Sequence, residues 1–114
     1  MFDFQKLEVY KKAKTFHRSC KKLIAEHAFD KYVNDQLSRA SFSVILNIAE
    51  GSGKFSKRDR RNFFVISRAS IFECVAALDV IHDDQLISDQ EFTELQLQAD
   101  EISRIMFAMV RNLQ

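Results

Sequence analysis

Few residues in the chain have the spacing that nucleotide chemistry requires. Residues 51–54, GSGK, are similar to the end of a phosphate-binding loop. A Walker A loop would need a glycine where Ile48 stands and a hydroxyl side chain where Phe55 stands. The segment would also follow a helix rather than a strand. We therefore expect no nucleotide to bind at this loop.

Metal and nucleophile chemistry are supported just as weakly. His17 and Cys20 would share one helix face, but a closed zinc site needs about four ligands, and His27, His82 and Cys74 have no paired spacing. A Cys–His nucleophile would also need a third group to orient it. We expect packed or half-buried side chains at these positions, no metal or other cofactor, and no enzymatic activity.

Basic side chains offer a more definite candidate site, in two groups. The first helix would place five of them on one exposed face: Lys11, Lys14, Arg18, Lys21 and Lys22. The second group surrounds the start of the third helix, where backbone N–H groups also attract anions: Lys54, Lys57, Arg58, Arg60 and Arg61. Such groups favour contact with nucleic-acid phosphates. The alternatives are a solvated helix face for the first group and pairing with an acidic part of another subunit for the second.

Charge is distributed unevenly along the chain, although the net charge is only +1. Residues 1–68 hold 15 Lys and Arg against 7 Asp and Glu, a net +8, whereas residues 69–114 hold 2 against 9, a net −7. This asymmetry indicates charged surfaces with different roles. Because the acidic half would repel a polyanion, any nucleic-acid binding should be confined to one face.

A polar stripe along the second helix is the third candidate. Five side chains fall within a narrow arc at the helical step of about 100° per residue: Gln36, Arg39, Ser43, Asn47 and Glu50. Glu50 lies near a helix C-terminus, where the macrodipole disfavours an anion. We expect it to pair with Arg60, Arg61 or Arg68, or with an arginine of another subunit. A hydrogen-bond network that fixes helix register is favoured over a ligand or catalytic site.

The elements that position these residues are helices. The 114 residues suffice for one domain, 1–114, and contain no proline and only two glycines, so turn-rich β folds are disfavoured. No apolar run is long enough to span a membrane, and the N-terminus lacks the features of a secretory signal. With only two cysteines, a disulfide scaffold is disfavoured, and we expect a cytoplasmic protein.

Periodicity and capping signals predict four helices. The first runs over about 4–27 with Asp3 as its N-cap, and the second over about 32–50, ended by Gly51 in the left-handed conformation. The third runs over about 57–82 after Ser56, and the fourth begins after Ser88 and ends near residue 113. Helices of similar length with short connections favour an antiparallel up-down-up-down bundle.

Helices 2 and 3 carry more apolar surface than a monomeric bundle can bury. Each has a second apolar side besides the one that would face the core, and this second side includes Phe42, Leu46, Val65 and Phe72. Because large exposed patches are rare on monomers, we predict a cyclic homo-oligomer with these residues at the interface. The alternative is that neighbouring short helices cover both sides.

One segment also resembles a known family. Within residues 36–54, QLSRASFSVILNIAEGSGK, the matching residues are Gln36, Arg39, Ala40, Ser43, Asn47, Ile48, Ala49, Glu50 and Gly51. The resemblance is to the four-helix-bundle proteins encoded in intervening sequences of bacterial 23S ribosomal RNA genes, and it covers about residues 2–113. It implies an up-down bundle assembled as a ring, a homopentamer. The chain is also similar to the accessory bundle protein of diversity-generating retroelements, which is basic and binds nucleic acid.

These observations predict an oligomeric, non-enzymatic accessory protein that binds nucleic acid, RNA above all, through backbone phosphates. The absence of an RNP-like aromatic motif favours recognition of shape and charge over sequence. The alternative is an oligomeric protein-interaction scaffold with no affinity for nucleic acid.

Overall fold

A computed structural model describes all 114 residues as four α-helices with no strand: α1 Glu8–Glu26, α2 Lys31–Ser52, α3 Lys57–Asp83 and α4 Asp89–Asn112. Each helix packs against the next one in the chain, and α1 closes the bundle against α4. In the diagonal pairs, α1 with α3 and α2 with α4, no Cα atoms come within 8 Å of each other. The predicted all-α, four-helix, up-down-up-down fold is confirmed.

The core is formed by one apolar stripe from each helix. In α1 the buried residues follow the predicted helical spacing, with Phe16 and Cys20 fully enclosed. In α4 the buried positions Leu95, Ala99, Ile102 and Met106 alternate in steps of four and three residues, which is a heptad pattern. Burial of apolar area provides most of the stability of such a bundle. None of the four helices is long and apolar enough to cross a bilayer.

The N-terminus differs from the prediction of one continuous first helix. Asp3–Lys6 form a separate 3₁₀ turn, and α1 begins only at Glu8, because Leu7 is extended with ψ at 132°. Asp3 lies inside this turn and does not cap α1. The turn places the Phe4 ring edge-on to Tyr10, with 5.0 Å between ring centroids. This aromatic contact holds the segment against the first turn of α1.

Gly51 does not end α2 in the left-handed conformation as predicted. It is buried inside the helix, which continues to Ser52, and no glycine in the chain has a positive φ. A Cβ placed on Gly51 would lie 2.7 Å from Cε1 of Phe64 and 2.9 Å from Cβ of Phe63. Glycine is therefore required because α3 approaches the α2 backbone closely at this point.

Replacing Gly51 with alanine should destabilise the protein even though alanine is the better helix former. Overpacking costs about 1–3 kcal/mol, and helix propensity returns about 1 kcal/mol, so we expect a net loss of up to about 2 kcal/mol. The measurement is urea denaturation followed by circular dichroism. Gly53→Ala is the matched control, because the nearest atom to its Cβ is the Glu50 carbonyl oxygen at 3.6 Å. If both variants unfold at the same urea concentration, the close approach at Gly51 is not a constraint.

The starts of α3 and α4 are both capped by serine, and they carry opposite charges at the two ends of the bundle. Ser56 Oγ accepts a hydrogen bond from the Asp59 amide, and Ser88 forms the complete capping box with Glu91. At one end, Arg61 Nη1 donates to the Leu113 carbonyl oxygen over 3.0 Å, which places the start of α3 beside the end of α4. At the other end, His82 Nε2 lies 2.7 Å from Asp89 Oδ1. The basic start of α3 and the acidic start of α4 are thus at opposite ends.

The acidic end is fastened by a second histidine–carboxylate contact. His27 Nε2 lies 2.9 Å from Glu91 Oε2 and joins the end of α1 to the first turn of α4. This hydrogen bond, together with the one from the Ser88 amide, holds the pKa of Glu91 below its usual value. Glu91 therefore caps its own helix and links it to α1.

Candidate nucleic-acid interface

The start of α3 presents basic side chains that no carboxylate neutralises. Lys57 and Arg58 are exposed in the first turn and form no ion pair. Lys54 Nζ lies 5.1 Å from the centroid of the Phe63 ring and forms no ion pair. Arg60 is half-buried, and its Nε has no hydrogen-bond partner. Together with Arg61, which donates to the Leu113 carbonyl, these residues form what we call the basic end.

Backbone groups add to this positive potential. The Asp59 amide is capped by Ser56, and the Arg60 amide donates to the Ser56 carbonyl, but the amides of Lys57 and Arg58 have no acceptor in the chain. Unpaired N–H groups and the helix macrodipole both favour an anion at a helix N-terminus. The basic end therefore combines mobile cations with fixed donors.

The basic row along α1 is only partly neutralised. Lys11 lies 3.7 Å from Glu8 and Lys22 lies 3.9 Å from Glu26, both as exposed pairs within one helix. Such surface pairs are weak and exchange readily with solvent or ligand. Lys14 Nζ lies 5.0 Å from the centroid of the Tyr10 ring.

Arg18 and Lys21, in the middle of the row, are exposed and have no carboxylate partner. The row and the basic end lie on diagonally opposed helices, α1 and α3. The structure thus places all ten predicted basic residues on two separate surfaces of one protomer.

Part of the polar stripe of α2 forms hydrogen bonds, and those of Gln36 and Ser43 reach α3. Ser43 Oγ lies 3.0 Å from Ser70 Oγ, and Asn47 Nδ2 donates to both the carbonyl and the hydroxyl oxygen of Ser43. Gln36 donates to Glu73, a partner that the wheel of α2 alone could not indicate. These contacts connect the two helices through polar groups at their solvent-facing seam.

Glu50 lacks the arginine partner that was expected from α3. The carboxylate forms no ion pair within the chain, so Arg60, Arg61 and Arg68 are not its partners. Arg68 instead donates through Nε to the Ser103 carbonyl, and its guanidinium lies 4.7 Å from the Phe72 ring centroid. Pairing of Glu50 with an arginine of another subunit stays a prediction.

Two apolar patches remain exposed on opposite sides of the bundle. On the α1–α2 side, Phe42 is 48% and Leu46 is 50% exposed, and the Phe42 ring lies beside His17 of α1. On the α3–α4 side, Val65 and Phe72 line a groove with Phe107, and Phe72 is 55% exposed. The neighbouring helices therefore do not cover the second apolar side of α2 and α3.

A cleft between α1 and α2, with a volume of about 870 Å³, was not anticipated from the sequence. His17 lies in it and places Nδ1 2.8 Å from the buried Ser41 hydroxyl. Burial, with smaller effects of Lys21 and Arg18, lowers the pKa of His17. Tyr32 and Arg39 line the same cleft. Tyr32 was missed because a single exposed aromatic residue near a helix start has no sequence signature.

Both cysteines belong to the hydrophobic core. Cys20 and Cys74 are free and buried, and burial raises the pKa of Cys74 to about 12 and that of Cys20 further. Their thiols are therefore protonated and unreactive at neutral pH. His17 and Cys20 do not join a third ligand, and no group of three or more His, Cys, Asp or Glu side chains is placed to hold a metal ion.

Known proteins share this architecture. No curated protein matches the chain in sequence. A solved structure of a protein of unknown function from Bacteroides thetaiotaomicron, assigned to the S23 ribosomal protein family, superposes with a TM-score of 0.84. The match covers 90% of this chain and 97% of the other at 18% identity, which establishes a shared fold. The model of the 23S rRNA-intervening sequence protein family matches residues 5–108, and the chain therefore belongs to that family.

Proposed function

We propose that the protein is a non-enzymatic, oligomeric nucleic-acid-binding protein that contacts the phosphates of RNA. The observation that carries this proposal is the basic end, where no cation of the group is paired with a carboxylate and two backbone amides are free. An RNA strand would gain affinity there chiefly by releasing counterions from its phosphates. Such contacts position a strand but read no sequence.

The row on α1 would supply a second set of phosphate contacts. Arg18 and Lys21 are available without breaking an ion pair, and Lys11 and Lys22 can leave their weak intrahelical partners. The acidic residues near the start of α4 lie at the opposite end from the start of α3. Their repulsion of RNA would therefore act away from the basic end.

Oligomerisation is the second part of the proposal, and the two apolar patches support it. Because they lie on opposite sides of one protomer, contact between the α1–α2 side of one copy and the α3–α4 side of the next is heterologous, and such contacts close into rings when the rotation permits. Family membership makes five the expected number of subunits. A ring would repeat the basic end and the α1 row several times, so weak phosphate contacts would add through avidity.

The direct test is fluorescence anisotropy of a labelled, structured RNA titrated with the protein at about 50 and about 200 mM salt. We expect binding at the lower concentration and a steep loss at the higher one. Absence of binding at low salt would refute the proposal. An oligomer that binds no RNA would instead support a protein-interaction scaffold, which the exposed apolar patches also favour.

A further inference from the structure

The cleft between α1 and α2 presents aromatic side chains to solvent. Tyr32, in the first turn of α2, is 73% exposed and stacks on no other ring of the chain. Phe42 closes the other end of the cleft, and its centroid lies 5.5 Å from that of the His17 ring. Exposed aromatic rings beside a groove are the platforms on which unpaired bases stack.

Basic side chains line the same cleft and form no ion pair with a carboxylate. Lys21, on the α1 wall, has no carboxylate partner. Arg39, on the α2 wall, donates through Nη2 to the side-chain carbonyl of Gln36 over 2.7 Å, so a neutral amide orients it. Asp35 is the one acidic residue of the lining, and its carboxylate accepts a hydrogen bond from Lys31 over 2.7 Å.

His17 in the cleft has an oriented ring and a lowered pKa. The contact between His17 Nδ1 and Ser41 Oγ orients the ring, and Nε2 has no partner in the chain. The pKa of His17 is lowered first by burial and then by the charges of Lys21 and Arg18. A neutral imidazole with one free nitrogen can exchange a hydrogen bond with the edge of a base.

We infer that this cleft binds one unpaired nucleotide of an RNA strand, with its base against Tyr32 and its phosphate between Lys21 and Arg39. The inference rests on the proposed RNA binding and adds a preference for single strands. Bases in a duplex are already stacked and cannot enter, whereas the basic end contacts phosphates of either form. Phe42 also belongs to the proposed oligomer interface, so in the assembly the base would enter at the Tyr32 end of the cleft, and the test leaves Phe42 unchanged.

The test compares wild type with Tyr32→Ala by anisotropy, using a labelled uridine oligomer and a labelled RNA duplex of the same length at about 50 mM salt. Stacking on one aromatic ring contributes enough that its loss should weaken oligomer binding about tenfold. Duplex binding should not change. Tyr32→Phe keeps the ring and should bind both RNAs as wild type does. Because Tyr32 is largely exposed, the alanine variant should fold and assemble normally, which circular dichroism and light scattering check.

The outcomes separate this site from the proposed function. A selective loss of oligomer binding in Tyr32→Ala, with a shift of the His17 ring resonances in wild type on adding the oligomer, supports the nucleotide site. Equal affinities of wild type and Tyr32→Ala for the oligomer overturn the site but leave RNA binding at the basic end intact. Failure of wild type to bind either RNA overturns both.

Discussion

Replacing Phe72 with aspartate is expected to convert the assembled protein into monomers of 13.3 kDa. Phe72 is 55% exposed and lines the apolar groove on the α3–α4 side, with the Arg68 guanidinium over its ring. A buried carboxylate at an apolar interface pays a large desolvation cost, and a central aromatic contact is commonly worth more than about 2 kcal/mol. Because every subunit of the proposed ring would contribute this groove, one substitution would damage every contact. Multi-angle light scattering gives the mass directly.

The matched control for this prediction is Phe55→Asp. Phe55 is fully exposed in the connection between α2 and α3, so the same change of side chain should leave the mass of the assembly unaltered. Circular dichroism should show the same helix content in both variants, since neither phenylalanine is part of the core. A wild-type protein that is monomeric at micromolar concentration, or a Phe72→Asp variant that stays assembled, would contradict the proposed interface.

The four helices could be predicted because their signals are local. The apolar spacing of α4 and the capping box of Ser88 and Glu91 depend on residues three or four positions apart, and tertiary contacts reinforce both. The ends of the helices were harder to predict. The separate turn before α1 depends on Leu7 being extended and on Phe4 packing against Tyr10, and neither feature has a strong sequence signature.

Gly51 illustrates why tertiary contacts limit such predictions. A glycine near a helix end fits a left-handed terminator and a close approach of two helices equally well. Only the position of Phe63 and Phe64 on the facing helix distinguishes the two, and that position is a property of the assembled bundle. The same limit applies to Glu50. Of its expected arginine partners, Arg61 and Arg68 donate to backbone carbonyls instead, and Arg60 forms no ion pair.

The candidate interface was predictable as a set of charges but not as a surface. The positions of the ten basic residues on or beside the predicted helices could be found from the sequence. Neighbours from other turns and helices decide which of the ten remain unpaired. Lys12, which lies beside the row on α1, shows the principle, because its Nζ is 2.6 Å from Glu101 Oε1 of α4. The cleft between α1 and α2 needed the packing of both helices before Lys21, Arg39 and Tyr32 could be seen together.

Replacing Lys57 and Arg58 together with glutamate is expected to reduce RNA affinity by more than tenfold at about 50 mM salt. Both side chains are exposed, unpaired and adjacent to the two free amides at the start of α3. Each lost phosphate contact should also reduce the slope of the salt dependence by roughly one. Anisotropy titrations over a range of salt concentrations measure both quantities.

The free energy of unfolding should rise in this variant, although its RNA affinity falls. Glutamate in the first turn of a helix interacts favourably with the macrodipole and should add about 0.3–1 kcal/mol per substitution, so weaker binding cannot be ascribed to unfolding. Lys12→Glu with Arg104→Glu is the matched control, since it changes the net charge equally but lies outside the basic end, the α1 row and the cleft between α1 and α2. If both double variants lost affinity alike, net charge alone would govern binding. A selective loss in Lys57→Glu with Arg58→Glu would instead locate the phosphate contacts at the start of α3.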